Sequence, residues 1–435
     1  MSPVSINSTP LNVRQRAVAR KITWTLFAAQ CLGSAGFIAA ATINSIAGRQ
    51  LTGSDALATV PEAIYQLGVS VAALGWGYGM DRFGRRGGLA LGVGVGALGA
   101  LIVSLAIIQN SLPLFLLGLV CMGIARSALQ LARFVAAEVH PPAERARAIS
   151  NVVIGGSVAT LIWAGLSRLL GPLMTELHID QLTWPYLASL ALFILTGVII
   201  IVFLRPDPRE VGREISQLGH ADQQVAATQR PARSLAEIFR QPAVLVAAGA
   251  MVFGQAVMVM IMIITPLHMS GHQHVVEDIS LVISSHVFGM YAFSILSGRF
   301  ADRFGRGAAI AVGSITLVLA SLLAPLSPDV LPLGVALFLL GVGWNFCYVG
   351  GSSLLADQLS PDERARTQGF NDLLIGLVSA LGSLGSGFVF SSVGYRAMGF
   401  VGAVVALIPL ALTLWRHATR DAAIQTSTAT SAGND

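Results

Sequence analysis

Polar side chains inside otherwise apolar stretches are the residues of this sequence best suited to chemistry. Arg126, Gln130 and Arg133 are four and three residues apart, so a helix places them on one face. Arg126 lies twelve residues before Glu138, about 18 Å along a helix axis and near the middle of a bilayer. A charge there costs about 2.5–3.5 kcal/mol on insertion scales and usually faces a cavity or a partner. We expect this face to line a cavity, with Arg126 as an anion or coupling site or as a structural arginine, and Arg133 to pair with Glu138 or Asp357.

Several other positions have both a functional and a structural interpretation. The reference pKa of histidine is near neutral, so His286 would suit a proton carrier, but a hydrogen bond between helices also explains its position. Asp372 stands near the start of an apolar run, where it serves either helix-start electrostatics or coupling. Glu62 follows a proline, a position that indicates a capping role in the first turn of a helix. Trp344 and Tyr348, four residues apart, would stack on an organic substrate or pack within the fold.

The composition indicates which elements must position these residues. Charged residues make up 11% of the 435, against about 25% in an ordinary soluble protein, apolar residues make up 54%, and the mean hydropathy is +0.71. Such a chain lacks the polar side chains to cover a soluble surface, which excludes a soluble enzyme, a disordered chain and a coiled coil. Cys31, Cys121 and Cys347 all lie in apolar runs, so no disulfide framework is expected.

Twelve apolar runs are long enough to cross a bilayer. They cover about 22–46, 57–80, 88–109, 112–137, 148–171, 184–204, 243–267, 279–301, 308–325, 331–356, 368–392 and 397–415. The sequence therefore predicts a tail at 1–21, a six-helix half at 22–205, a polar central loop at 206–241, a second six-helix half at 242–415 and a disordered tail at 416–435.

The basic residues predict the orientation. If both termini are cytoplasmic, 22 of the 27 Lys and Arg residues lie in inside segments and only three in outside loops. That asymmetry is the positive-inside pattern for an even number of spans in a plasma membrane. The net charge of +5 then reflects orientation in the lipid bilayer, and a nucleic-acid partner is not needed to explain it.

The two halves repeat each other. Residues 77–85 match 298–306 at an offset of 221, and residues 137–147 match 356–366 at an offset of 219. Parallel repeats of this kind imply transport by rocking about a central cavity. The second offset aligns Arg126 with Asn345, so the halves would present an asymmetric polar pair. A tight turn between spans needs glycine with positive φ in each copy.

Residues 77–89 resemble the loop 2–3 signature of the major facilitator superfamily, and 298–310 resemble its weaker second copy. The resemblance implies an all-α membrane protein with twelve transmembrane helices in two six-helix pseudo-repeats. The gating motif then comprises Gly77, Asp81, Arg82, Gly84, Arg85, Arg86, Gly298, Asp302, Arg303, Gly305 and Arg306. In the family the Asp81 position helps to latch the cytoplasmic side shut; the alternative is a solvated loop that only sets the topology.

The second half, in Gly341-Val-Gly-Trp344-Asn345-Phe and His286-x-x-Gly289-Met290, resembles a drug-antiporter-like group of bacterial transporters whose substrates are mostly unassigned. This predicts a monomeric secondary active transporter that moves a small organic solute by alternating access, coupled to protons, with efflux as the direction. Alternatives are an uptake symporter of an organic anion and a non-transporting membrane sensor. No nucleophile–base spacing or phosphate-binding loop indicates an enzyme or an ATP-driven pump, and Lys21 is the only lysine. We expect no cofactor besides the ion gradient, and the irregularly spaced histidines at 268–274 do not form a metal motif.

Overall fold

A computed structural model describes residues 13–141, 144–220 and 233–432 of the chain, apart from some side chains. The described residues are almost entirely helical. The first helices are α1 (Val13–Thr52), α2 (Val60–Ile108), α3 (Leu112–Gln130), α4 (Ala132–Glu138), α5 (Arg145–Val153), α6 (Gly155–Glu176), α7 (Trp184–Phe203) and α8 (Pro208–His220). The remaining helices are α9 (Leu235–Phe239), α10 (Pro242–Gly271), α11 (Val276–Ala292), α12 (Ser294–Phe304), α13 (Arg306–Leu323), α14 (Val330–Asp357) and α15 (Pro361–Ala432), with a 3-10 turn at Ala324–Leu326.

Each of the twelve predicted apolar runs falls on helix. Nine helical stretches of the described chain are long and apolar enough to cross a membrane, and α11 with α12, bent by 42°, makes a tenth. Helices α2 and α15 each cover two predicted runs. Each is broken between the two runs by a glycine with non-helical backbone angles, Gly84 in α2 and Gly394 in α15. The structure is therefore an all-α membrane fold whose helices fit twelve spans.

The chain divides into two compact units. The first is drawn from residues 1–52 and 64–230, and the second from 53–63 and 231–435. In the first unit α1 packs against α6 and α7. In the second unit α14 packs against α10, α11 and α13. Each unit therefore has its own core.

Buried aromatic side chains fill the core of the first unit. The rings of Trp163 and Trp184 stack with centroids 5.5 Å apart. Trp163 Nε1 donates to Thr42 Oγ1 at 3.2 Å, and the Tyr186 hydroxyl donates to Asn44 Oδ1 at 2.6 Å. These bonds satisfy the polar ends of large buried rings and fix α1 against α6 and α7.

Large apolar side chains also lie on the outside of both units. Leu161 and Leu169 in α6, and Phe400 and Val404 in α15, are each at least 64% exposed. A soluble protein rarely shows so many exposed large apolar side chains, whereas lipid-facing helices require them.

Glycines allow neighbouring spans of the first unit to approach closely. A Cβ on Gly96 would lie 2.7 Å from the Cβ of Ala125, and one on Gly99 would lie 2.7 Å from the carbonyl oxygen of Gly118. Any side chain there would separate α2 from α3. The glycines therefore allow close packing of α2 against α3.

The tails and the central loop differ from the prediction. Helix α1 begins at Val13, and the central loop contains α8 and α9. The sequence predicts a disordered tail after 416, whereas helix α15 of the structure continues to Ala432. Its residues 418–425 are mostly good helix formers, and a helix already nucleated by a span extends at little cost.

Candidate functional site

Two aromatic rings on α14 form a stacked pair in the second unit. The centroids of Trp344 and Tyr348 are 4.9 Å apart, and the ring planes differ by 18°. Trp344 Nε1 donates to Gln255 Oε1 at 2.7 Å, and Gln255 Nε2 donates to Ser379 Oγ at 3.0 Å. This network joins α10, α14 and α15 and fixes the indole, while both rings stay only half-buried.

Methionine and aromatic side chains adjoin the stacked pair. A cluster of Met258, Val259, Ile263 and Met290 packs against Met262, Tyr291 and Trp344. Thioethers are polarisable and adapt to irregular shapes, and flat rings favour stacking partners. This side of the second unit is chemically suited to a planar organic molecule. Sequence reasoning identified the two rings but missed Gln255, whose bonded partner is 89 residues away.

Asn345, predicted as one of a polar pair for substrate or protons, lies in the protein interior. Its side chain is 2% exposed. Its Nδ2 donates to the Met290 carbonyl at 2.7 Å and to Ser294 Oγ at 2.8 Å, and its Oδ1 accepts from Ser297 Oγ at 2.6 Å. These bonds link α14 to both sides of the bend between α11 and α12, where Phe293 interrupts the helix. Asn345 therefore stabilises a bent span.

His286 lies fully buried between α11 and α14. Its Nδ1 is 3.0 Å from the carbonyl oxygen of Leu337, and its Nε2 has no hydrogen-bond partner among the described residues. Because the carbonyl can only accept, Nδ1 is the donor of this bond. This geometry matches the interhelical alternative weighed for this residue.

Arg126 lies half-buried in α3 of the first unit. Its guanidinium carbon is 5.2 Å from the centroid of the Phe37 ring on α1. The cation–π contact offsets part of the cost of a charge at this depth. Gln130, one turn further along, is exposed, and a turn at Leu131 separates it from Arg133 on α4. The predicted polar face is thus interrupted before Arg133.

Arg133 does not pair with Glu138, the predicted partner in its own unit. Its guanidinium carbon lies 4.8 Å from the centroid of the Phe134 ring, and its buried Nε has no hydrogen-bond partner among the described residues. Glu138 binds Arg85 instead, with Nε to Oε2 and Nη2 to Oε1 both at 2.9 Å. The prediction was wrong because the Arg85 side chain, from the previous span, presents a planar pair of donors that matches the carboxylate.

Gly84 forms the predicted tight turn in the first unit, with φ of 75°. The next two backbone N–H groups, of Arg85 and Arg86, donate to the carboxylate of Asp207 at 3.2 Å each. Asp207 thereby caps the start of the helix after the turn, and the side chain of Asp81 lies outside those described. Sequence reasoning missed Asp207, which stands between two prolines and 122 residues from Arg85.

The other described residues of this first motif lie on both sides of the turn at Gly84. Arg86 donates from Nη2 to the carbonyl of Ile201 at 2.6 Å. Arg82 is exposed. Gly77 lies within the helix before the turn. Through Arg85 and Arg86 the motif binds α4, the end of α7 and the start of the central loop.

The second copy of the motif repeats this geometry. Gly305 has φ of 94° and separates α12 from α13. Arg306 bonds to Asp302 and, from Nε at 3.3 Å, to Asp357, which corresponds to Glu138 in the repeat. The guanidinium of Arg303 lies 5.3 Å from the Phe304 ring centroid, and Gly298 lies within α12. In each unit, therefore, an arginine of the gating motif bonds to a carboxylate of the other repeated segment, 137–147 in the first unit and 356–366 in the second.

Sequence reasoning also missed an ion pair between a buried carboxylate, Glu363, and the partly exposed Arg233. Arg233, just before α9, donates from Nε and Nη2 to Glu363 at 2.8 and 2.6 Å and from Nη2 to the carbonyl of Gln358. The Arg233 guanidinium holds the pKa of the Glu363 carboxyl well below its usual range. The backbone N–H groups of Arg233 and Ser360 add two further bonds to that carboxylate. The end of the central loop is thereby fixed to the start of α15.

Two other carboxylates have distinct environments. Asp372 is exposed and accepts from Gln368 Nε2 at 3.0 Å, one turn before it on α15. Glu62 lies in the first turn of α2, as expected for a capping residue, but is only 7% exposed. A buried carboxylate at a helix start is unusual on a lipid-facing protein and usually has a partner.

Sequence comparison places the whole chain among known transporters. Residues 25–276 and 252–432 match the Major Facilitator Superfamily. The uncharacterized MFS-type transporter YddS of Bacillus subtilis (strain 168) is 33% identical over 407 residues, which cover 92% of each chain. The riboflavin transporter RfnT of Brucella anthropi is 30% identical over 402 residues, 91% of this chain and 96% of that protein.

Solved structures share the fold. The nucleoside transporter NupG superposes with a TM-score of 0.63 at 14% identity, covering 92% of this chain and 98% of the other. At that identity the likeness extends to the arrangement of helices and not to the ligand.

Proposed function

Because the chain belongs to the major facilitator superfamily, and is therefore a membrane transporter of small solutes rather than an enzyme, we propose that its substrate is a planar aromatic organic solute. The observation that carries this proposal is the half-buried Trp344–Tyr348 stack, held by Gln255 and flanked by methionines. A fixed flat surface binds flat molecules with little loss of side-chain entropy. The full-length similarity to a protein named for riboflavin, a planar heteroaromatic molecule, supports the same substrate class.

The direction and energy source form a second part of the proposal. We infer proton-driven efflux by alternating access, in the plasma membrane, with both termini cytoplasmic and the protein acting as a monomer. The positive-inside distribution of Lys and Arg supports the orientation. The similarity of the second half to drug antiporters supports efflux. In this account Asp81 and Asp302 bias the cytoplasmic gate.

Uptake of an organic anion is the second candidate. The half-buried Arg126 favours it, because a guanidinium within a span is an attractive partner for a carboxylate on the substrate. The two candidates differ in which compound stabilises the protein and in which residue that effect requires.

A thermal-shift screen of the purified protein tests the substrate class. The compounds are riboflavin, succinate as an aliphatic anion, and tetraphenylphosphonium as an aromatic cation that is not planar. A ligand at 100 times its Kd stabilises the native state by about 2.7 kcal/mol. We expect riboflavin to raise the Tm of the wild type and of Trp415→Ala, a control for the 46% exposed Trp415 in the same unit, but not of Trp344→Ala.

Other outcomes decide against the proposal. Stabilisation by succinate that Arg126→Ala abolishes would establish the anion candidate. A riboflavin shift that is equal in Trp344→Ala and the wild type would remove the stacked pair from the site. Trp344→Phe keeps a flat ring and should retain part of the shift, which separates a binding defect from a folding defect.

A further inference from the structure

A cavity of about 490 Å³ in the first unit is lined by an excess of basic side chains. It is formed by Arg85, Phe134, Ala137, Glu138, Arg145, Arg209, Gly212 and Arg213. Four arginines and one carboxylate line it. That carboxylate, Glu138, is already neutralised by two 2.9 Å bonds from Arg85. The lining thus has three more cationic than anionic side chains, which favours an anionic ligand.

Helix α8 of the central loop brings two of these arginines to the cavity. Asp207 accepts the backbone N–H of Arg209 at 2.9 Å and fixes the start of the helix. Val211 is buried, and Gly212 lies so close to α4 that a Cβ there would be 3.2 Å from the carbonyl oxygen of Glu138. The Arg209 and Arg213 side chains are therefore held beside α4 by a docked helix.

The third arginine comes from the opposite wall. Arg145 begins α5, and its Nε donates to the carbonyl of His140 at 3.2 Å. Phe134, 47% exposed, adds an apolar edge to the cavity. The positive-inside distribution places this end of the unit at the cytoplasmic face of the membrane, where anionic headgroups and soluble phosphates are both available.

We propose that this cavity binds a phosphate group, carried by an anionic phospholipid headgroup or by a soluble phosphate. Guanidinium groups match the geometry of phosphate oxygens, and basic pockets at the cytoplasmic ends of transmembrane helices are suited to lipid headgroups. The apolar Phe134 edge beside the cationic cavity favours the lipid, whose glycerol and acyl groups it would contact. The site uses none of the residues of the Trp344–Tyr348 stack and stands independently of the substrate proposal.

Native mass spectrometry of the delipidated, full-length protein tests the proposal. The probes are dioleoylphosphatidylglycerol, dioleoylphosphatidylcholine and inorganic phosphate. We expect one molecule of phosphatidylglycerol to bind more tightly than phosphatidylcholine. The variant Arg145→Gln/Arg209→Gln/Arg213→Gln should lose about tenfold or more in that affinity. The control Arg14→Gln/Arg16→Gln/Arg20→Gln removes the same charge from exposed positions of α1 in the same unit and should bind like the wild type.

The remaining outcomes separate the source of the phosphate from the existence of the site. Inorganic phosphate that binds, or displaces phosphatidylglycerol, only when the three cavity arginines are present would establish a soluble ligand at the same site. Equal binding of the two lipids together with no phosphate binding would overturn the proposal, and so would equal losses in the two triple variants. Arg213→Gln alone changes one exposed side chain, so it gives a folded variant that should show a smaller loss in the same direction.

Discussion

Glu363 keeps its negative charge in a position where its side chain is only 3% exposed, because Arg233 and two backbone N–H groups bond to it. Its pKa is lowered in the folded protein chiefly by the hydrogen bond from Arg233. The unfolded chain therefore takes up a proton first as the pH falls. The pair stabilises the fold above about pH 4.5, the ordinary value for this carboxyl, and that stabilisation is lost progressively below it.

Replacing this carboxylate should make the stability less dependent on pH. We expect Glu363→Gln to lower the Tm by several degrees at pH 7, since it leaves Arg233 without its partner, and the gap from the wild type to shrink as the pH falls below about 4.5. Thermal unfolding from pH 7 to pH 3.5 measures this gap. Glu176→Gln, at an exposed position, is the control. A gap that stays constant over this range would show that the charge of Glu363 is not what stabilises the loop.

Asn345 should matter for stability and not for substrate recognition. Removing its amide takes the Asn345 Nδ2 donor away from the Met290 carbonyl and from Ser294 Oγ, while Ser297 Oγ keeps its bond to the Ser294 carbonyl. We expect Asn345→Ala to cost about 2–4 kcal/mol, with the Kd of any ligand unchanged in the protein that remains folded. Denaturant unfolding measures the loss of stability, and ligand titration of the same sample measures the Kd. An altered Kd with wild-type stability would return Asn345 to the substrate site.

The glycine turns are the elements where sequence and structure agree in detail. Gly84 and Gly305 both have positive φ, and a Cβ on Gly84 would also lie 2.5 Å from Asp207 Oδ2, whereas Gly305 has open space around it. We therefore expect Gly305→Ala to cost about 1–2 kcal/mol from backbone strain alone, and Gly84→Ala to cost more, because it also displaces the cap. The helical Gly369 has open space and no positive φ, so Gly369→Ala should be neutral or stabilising.

Denaturant unfolding of the three glycine variants checks this order. Equal costs for Gly84→Ala and Gly305→Ala would show that Asp207 does not contribute to the first turn. A large cost for Gly369→Ala would show that the helices tolerate no added methyl group, whatever the backbone conformation.

The elements that sequence could predict are those decided by local rules. Span length follows from bilayer thickness, and the turns follow from glycine at repeated positions, so the twelve apolar runs and both turns were located without a structure. The contacts of Asp207 with Arg85 and of Arg233 with Glu363 join residues more than 120 positions apart. Spacing along the chain holds no signal for such pairs. Arg126 was correctly identified as unusual, but its stacking on Phe37 depends on how α1 packs against α3.

At the scale of the whole molecule, the distribution of Lys and Arg predicts the orientation. With Cys121→Ser as background, a cysteine at exposed Glu176 should react with a membrane-impermeant maleimide in intact cells, and one at exposed Arg147 only after permeabilisation. Cys31 and Cys347 are buried and should stay unlabelled. The reverse pattern would invert the assignment of every loop and place the basic cavity on the outer side.

The most direct test of the substrate proposal is counterflow of labelled riboflavin in proteoliposomes that contain the full chain. Vesicles loaded with unlabelled riboflavin should transiently accumulate the label from outside. Trp415→Ala should behave like the wild type, and Trp344→Ala should accumulate several-fold less while its Tm shows that it is folded. Accumulation that does not depend on Trp344 would contradict the aromatic site. Failure of the wild type to exchange riboflavin or any other planar aromatic solute, while it exchanges an aliphatic carboxylate, would contradict the substrate class itself.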